Sequence, residues 1–176
     1  IILASFLLVS VLFIFLIRRN SKSFKKDKYL MINDVASLNE VLRLMDYRIK
    51  NSKGKIYFTL LLVSLDSYDR LFDLIGSQGV MEYLTKVTEA LRKSLPIGAK
   101  MAQTTEAETF LIYLPEYYGE EGMQEMAQMF KNTAERLFYV RNSSAPVRKT
   151  ASVAVTVYPE HGDNVIKLIN NLLAAM

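Results

Sequence analysis

Ile56-Tyr57-Phe58-Thr59-Leu60-Leu61-Leu62-Val63-Ser64-Leu65 carries no charge, no glycine and no proline. A strand with one wet face alternates apolar and polar residues. Here the apolar residues are nearly continuous and rich in aromatic and branched side chains, the pattern of a strand buried on both faces. Such a strand needs a covering layer on each side. Upstream, Val35, Leu38, Val41, Leu42, Met45 and Ile49 recur at helical spacing, so roughly 34–50 reads as an amphipathic helix. Asn51-Ser52-Lys53-Gly54 then marks a turn. Downstream, 66–76 reads as a short helix ended by Gly76. Val80, Leu84, Val87 and Leu91 line a second helix, closed by Pro96 and Gly98. Lys100–Thr104 and Thr109–Leu114 read as a hairpin around 105–108, stopped by Pro115. Met123, Met126, Ala127, Phe130, Ala134, Leu137 and Phe138 line another helix. Ala151–Tyr158 is a strand, 159–163 a turn, and Val165–Met176 a last helix. The order α-β-α-α-β-β-α-β-α predicts an α/β or α+β sandwich with helices flanking a central sheet.

The chain has 176 residues and no cysteine. That length suits one domain with an appendage, and the lack of cysteine excludes a disulfide framework and a thiolate metal site. Residues 1–17 are uncharged. At 1.5 Å per residue they would span roughly 25 Å against about 30 Å for a bilayer core. The chain does not begin with Met, and the run is expected to be the C-terminal part of a transmembrane helix. A signal peptide carries its basic residues before the apolar run, whereas here Arg18 and Arg19 follow it. The segment 18–32 is a basic linker: Arg18, Arg19, Lys22, Lys25, Lys26 and Lys28 face only Asp27. Six positive charges and one negative make +5 there, against +4 for the whole chain, which leaves −1 for the rest. Basic residues beside a span mark the cytoplasmic side and attract anionic lipid. The domain from 33 to 176 is therefore expected in the cytoplasm, at a bacterial inner membrane. A nucleic-acid surface would need the basic charge on a folded face, so no nucleic-acid partner is expected.

Three ordered segments resemble the GGDEF (diguanylate cyclase) family. Leu60–Gly76 is similar to the family's LLLxDxDxFKxxNDxxGH. Glu106-Ala107-Glu108-Thr109-Phe110-Leu111-Ile112-Tyr113-Leu114-Pro115 stands where GGDEFxxxLP would stand. Thr150–Gly162 is similar to TxSxGVAxYPxDG, and Leu168–Met176 to LLxxADxAM. The likeness covers roughly 34–176. It implies a palm-like sheet of the nucleotide-cyclase type. For active members it implies two divalent metals, held by carboxylates, that activate a 3′-hydroxyl and neutralise a triphosphate. This chain departs from the pattern at most of the positions concerned. Ser64 replaces the first acid of DxD, while Asp66 keeps the second. Phe72 and Met81 replace the guanine-reading Asn and Asp. Glu106 and Ala107 replace the two glycines, whose bare backbone lets phosphate approach. Glu108 keeps an acid at the third position, and Thr109 replaces the fourth. The product-binding RxxD falls on Ile97 and Lys100 and is absent.

These departures lead to the expectation of a catalytically inactive GGDEF-like domain with no cofactor and no metal, Asp66 and Glu108 being weak metal candidates. The resemblance implies a regulatory or assembly module in cyclic di-GMP signalling or polysaccharide export. Its partner would be a protein, such as a membrane complex or a second copy. Two alternatives stay open: the regulatory half of a longer protein that continues into an EAL phosphodiesterase domain, or a scaffold with no nucleotide ligand. Asp66, Asp69 and Asp73 form an acidic face at short helical spacing, open to two readings: a residual metal site, or acids near a helix N-terminus followed by a solvated face. His161, the only histidine, reads as a turn residue. Tyr117, Tyr118 and Gly119 open a loop that could serve as a contact surface.

Overall fold

The computed structural model describes residues 36–52, 56–141 and 143–176. The expected membrane span at 1–17 and the linker at 18–32 lie outside the described residues. Among the described residues no helix is long and apolar enough to cross a membrane.

Helix α1 (Leu38–Asn51) begins where Ser37 and Glu40 close a capping box. Glu40 N–H donates to Ser37 Oγ at 3.2 Å, and Ser37 N–H donates to the Glu40 carboxylate at 2.6 Å, so two otherwise orphaned donors are satisfied. Arg48 and Lys50 lie in its last turn, where the helix dipole favours cations. Strand β1 (Phe58–Leu65) follows, buried along its length except at half-buried Ser64.

Helix α2 (Arg70–Lys93) is made of the two expected helices, joined at Gly76, whose φ 67°, ψ 171° is not helical. The first begins four residues later than the sequence pattern suggested. Only glycine takes that backbone without strain, so Gly76 ends the first helix, as expected, and the second follows it directly. Residues 66–69 form the turn from strand to helix, with Ser67 at φ 51°. Asp66 and Asp69 therefore both precede the helix that carries Asp73.

Strands β2 (Lys100–Gln103) and β3 (Thr109–Leu114) form the expected hairpin. Helix α3 (Gly119–Ala134) stops short of Leu137 and Phe138. Phe138 leaves the helix to bridge Val147 and to set its ring edge-on to Tyr83 at 5.6 Å, and Leu137 is exposed. The helical spacing ran on for one turn after tertiary contacts had taken over the backbone. Strand β4 (Ala151–Tyr158) and helix α4 (Val165–Ala174), capped by Asn164, complete the domain.

All strand pairs are antiparallel, in the order β2-β3-β1-β4. Alternate residues of β1 feed two cores. Leu61, Val63 and Leu65 face a cluster with Leu71, Tyr83, Leu84 and Leu91 of α2 and Phe130 of α3. Phe58, Leu60 and Leu62 face Val41 and Met45 of α1 and Leu168 and Leu172 of α4. The two-faced burial read from the sequence arises because each face of the sheet carries its own pair of helices.

Candidate functional site

The C-terminal end of β1 meets the start of β3 on one side and the start of β4 on the other. Ser64 lies opposite Thr109 in β3 and Ser152 in β4. The Ser64 and Thr109 hydroxyls hydrogen-bond each other at 3.0 Å. One residue beyond the strand, the Asp66 carboxylate accepts from Ser152 Oγ at 2.9 Å. The structure thus gathers Ser64, Asp66 and Thr109, as the sequence predicted, around Ser152, which the sequence reading did not single out. The only signal for Ser152 was its place near the start of the third family-like segment.

The turn between β2 and β3 is closed on itself. Thr109 N–H donates to Glu106 C=O at 3.0 Å, Glu106 N–H to Thr104 Oγ1 at 3.2 Å, and the Gln103 amide to Ala107 C=O. Leu65 N–H donates to Glu108 C=O at 3.1 Å, pinning the turn to β1. Donors at Glu106 and Thr109 are consequently engaged within the protein. Glu106 is exposed at the tip, and Ala107 and Glu108 are half-buried.

Burial pushes the Glu108 carboxyl above the usual carboxylate range, and the negative charges of Glu106 and Asp69 add to the shift. Burial, then Glu108 and Asp69, push the Tyr68 hydroxyl up as well. These acids crowd one another, with no cation among the causes of either shift. An acid whose folded-state pKa is raised binds protons more tightly when folded. Its contribution to stability therefore falls as pH rises from the ordinary carboxylate range through the raised value. Glu108→Gln is expected to stabilise the domain at pH 7, and the advantage should vanish toward pH 4. Urea unfolding of both forms at the two pH values checks this.

Phe72 is half-buried and meets Tyr68 edge-to-face at 5.5 Å. Met81 is exposed on α2. Ile97 is fully exposed, and Lys100 lies opposite Tyr113, at the end of the hairpin away from Glu106. The structure does not bring Lys100 to the Ser64 cluster. Asp69 precedes α2 without making a side-chain cap. Tyr117 is half-buried and stacks on Tyr57 at 5.9 Å, so only Tyr118 of that aromatic pair is well exposed. His161 Nδ1 accepts the Val157 N–H at 2.9 Å, which gives this turn residue a definite backbone role.

The model of the family described as "Diguanylate cyclase, GGDEF domain" matches residues 38–176, and the chain belongs to this family. Solved structures share the fold. The GGDEF domain of the Pseudomonas aeruginosa protein YfiN or TpbB superposes with a TM-score of 0.74 at 14% identity, covering 82% of this chain and 89% of that one. A sensory box/GGDEF family protein from Caulobacter crescentus gives 0.70 at 14% identity, over 80% and 90%. Diguanylate cyclase SiaD of Pseudomonas aeruginosa, solved with its activator SiaC, gives 0.70 at 19% identity, over 80% of this chain and 53% of that one. None of the curated protein sequences compared with the chain matches it.

The two divalent metals implied by the family do not fit the residues present. The hydroxyls of Ser64 and Thr109 satisfy each other, and Asp66 is engaged by Ser152. Among the described residues no group of three or more His, Cys, Asp or Glu side chains could hold a metal ion between them.

Proposed function

We propose that this domain does not synthesise cyclic di-GMP and acts through protein contacts within cyclic di-GMP signalling, at the cytoplasmic face of a bacterial inner membrane. The observation that carries the reading is the Ser64–Thr109 hydroxyl pair at 3.0 Å. Two neutral groups, already hydrogen-bonded to each other, occupy the positions where the family resemblance puts a metal-binding acid and a catalytic acid. They bring no charge to offset a divalent cation, and each would have to give up its partner to bind anything else. Glu106 adds a negative side chain where a triphosphate would have to approach. The purified chain, supplied with GTP and Mg²⁺ or Mn²⁺, tests this by the amount of cyclic di-GMP formed.

The product-binding positions are treated in the same way. Ile97 and Lys100 offer neither the arginine nor the aspartate of RxxD, and titration calorimetry is expected to show no cyclic di-GMP binding there. Micromolar binding that is lost in Lys100→Glu would contradict this. The membrane placement rests on the uncharged run 1–17 and the six basic residues after it. A reporter enzyme fused after Met176 is expected to be active only in its cytoplasmic version. Activity only on the outer face would reverse the topology. SiaD, a member with the same fold, is known with a protein activator bound, and contact with another protein is the role proposed for this chain.

A further inference from the structure

The stretch between α3 and β4 has a charge of its own. From Lys131 to Thr150 five basic residues stand against Glu135 alone, which makes +4. The chain outside 18–28 sums to −1, so the remainder carries −5. Within this stretch burial alternates: Leu137 is exposed, Phe138 half-buried, Tyr139 exposed, Val140 buried and Arg141 exposed. Alternation of this kind is the mark of extended backbone. The inward side is anchored. Val140 and Val147 belong to the core under α2 and α3, with Phe138 packed against them. Phe138 and Val147 exchange both backbone hydrogen bonds, at 2.9 and 2.8 Å. Helix α2 holds the same backbone from its own side. Lys86 Nζ donates to Tyr139 C=O, and Arg141 N–H donates to the Glu82 carboxylate at 3.1 Å. The outward side is left with Leu137, 61% exposed, and Tyr139, 73% exposed. Arg136 and Arg141 flank the two in sequence, and Arg148 follows Val147 on the other arm; all three are exposed.

We infer that this outward face, Leu137 and Tyr139 set among Arg136, Arg141 and Arg148, is a contact of the folded domain with an anionic lipid surface. The inference rests on the proposed placement at the cytoplasmic face of a membrane and adds a second point of attachment to it. Apolar side chains scattered singly over a surface need no explanation. Two large ones on a core-anchored turn, ringed by cations, have the composition of a membrane interface. A tyrosine ring sits at headgroup level with its hydroxyl in water. A leucine reaches the acyl boundary. Arginine lays its stem along apolar surface and keeps its guanidinium for phosphate. The attraction between such cations and an anionic leaflet adds up over the face and is screened by salt. An acidic protein would satisfy the arginines equally well, but it would need a pocket shaped to receive Leu137 and Tyr139. A lipid surface takes protruding apolar side chains without one.

The chain contains no tryptophan, so Tyr139→Trp supplies a single fluorescent reporter at the centre of the face. The full chain carrying it is reconstituted in nanodiscs of phosphatidylcholine alone, or of phosphatidylcholine and phosphatidylglycerol in equal parts. In the anionic discs its emission is expected to shift to the blue, and brominated lipid should quench most of it. In neutral discs, or in high salt, quenching should fall at least fivefold. Arg136→Glu with Arg141→Glu should lower it as much in anionic discs. The paired change to Gln replaces that variant if charge reversal unsettles the fold, and the salt series needs no variant at all. Ile97→Trp, at a fully exposed position far along the chain, is expected to stay unquenched. The inference is overturned if the Tyr139→Trp reporter stays unquenched in anionic discs, if neutral discs quench it equally, or if Ile97→Trp is quenched to the same degree. A blue shift produced by a polyglutamate peptide, with none from lipid, would also overturn it and give the face to an acidic protein. A chain that does not stay with the discs would refute the anchoring reading separately. The same reporter, mixed with vesicles of the two compositions, then decides the face by itself.

Discussion

Purified chain incubated with GTP and Mg²⁺ or Mn²⁺ is expected to yield no cyclic di-GMP above a Glu108→Ala control. The expectation follows from the proposed reading, in which several independent requirements of the same step fall on altered positions. Ser64 replaces an anion that two divalent cations would need, and its hydroxyl is already paired with Thr109. Thr109 cannot supply the charge of the acid it replaces. Losing a single electrostatic stabiliser of a transition state typically costs about 10²–10³ in rate. Phe72 and Met81 offer the guanine edge no hydrogen-bond partners, and polar groups left unpaired in a closed site cost about 1–3 kcal/mol each. Glu106, exposed at the tip of the turn, adds repulsion at the phosphate. Since these losses act on metal, base and phosphate separately, Ser64→Asp alone or Thr109→Glu alone should leave the chain silent. Product from the unaltered chain that disappears in Glu108→Ala would show that Glu108 and its surroundings still form a working site.

Much of this arrangement was legible in the sequence because it depends on local pattern. The uninterrupted apolar run of β1 required two covering layers, and two separate cores are found on its faces. The hairpin was marked by short apolar strands with polar residues between them and Pro115 after them. Proximity of Ser64, Asp66 and Thr109 followed from the order of family-like segments, and the β1–β3 register places Ser64 opposite Thr109. What the pattern could not carry was anything decided between distant segments. The spacing of α3 pointed one turn too far, since the pairing of Phe138 with Val147 depends on a segment nine residues away. Ser152 has no meaning as a ligand of Asp66 until β4 is placed beside β1. His161 reads only as a turn residue until the structure shows its Nδ1 accepting the Val157 N–H.

Phe110→Ala is expected to destabilise the domain by about 3–5 kcal/mol, the usual cost of truncating a buried phenylalanine, while Thr109→Ala beside it should cost only about 1 kcal/mol, the worth of one ordinary hydrogen bond. Both residues belong to the same five-residue turn segment, and the contrast separates its two roles. Phe110 is fully buried, in the cluster that contains Leu65, Tyr68, Leu71 and Phe130. It sits on β3, next to the central strand, so neighbours on α2 and α3 cannot close the cavity without moving the sheet. Thr109 is buried too, but its hydroxyl serves only the half-buried Ser64. Domains of this size are stable by only about 5–15 kcal/mol, and the phenylalanine variant should therefore be near the limit of folding. The residue of this segment that matches the family signature outright at a core position is the one the fold needs. Of the positions the family resemblance assigns to chemistry, Asp66 and Glu108 keep an acid while Ser64, Glu106, Ala107 and Thr109 carry other side chains. Urea unfolding of the two variants at pH 7 measures the difference. Equal midpoints would mean that the turn, and not the core beneath it, holds this end of the sheet together.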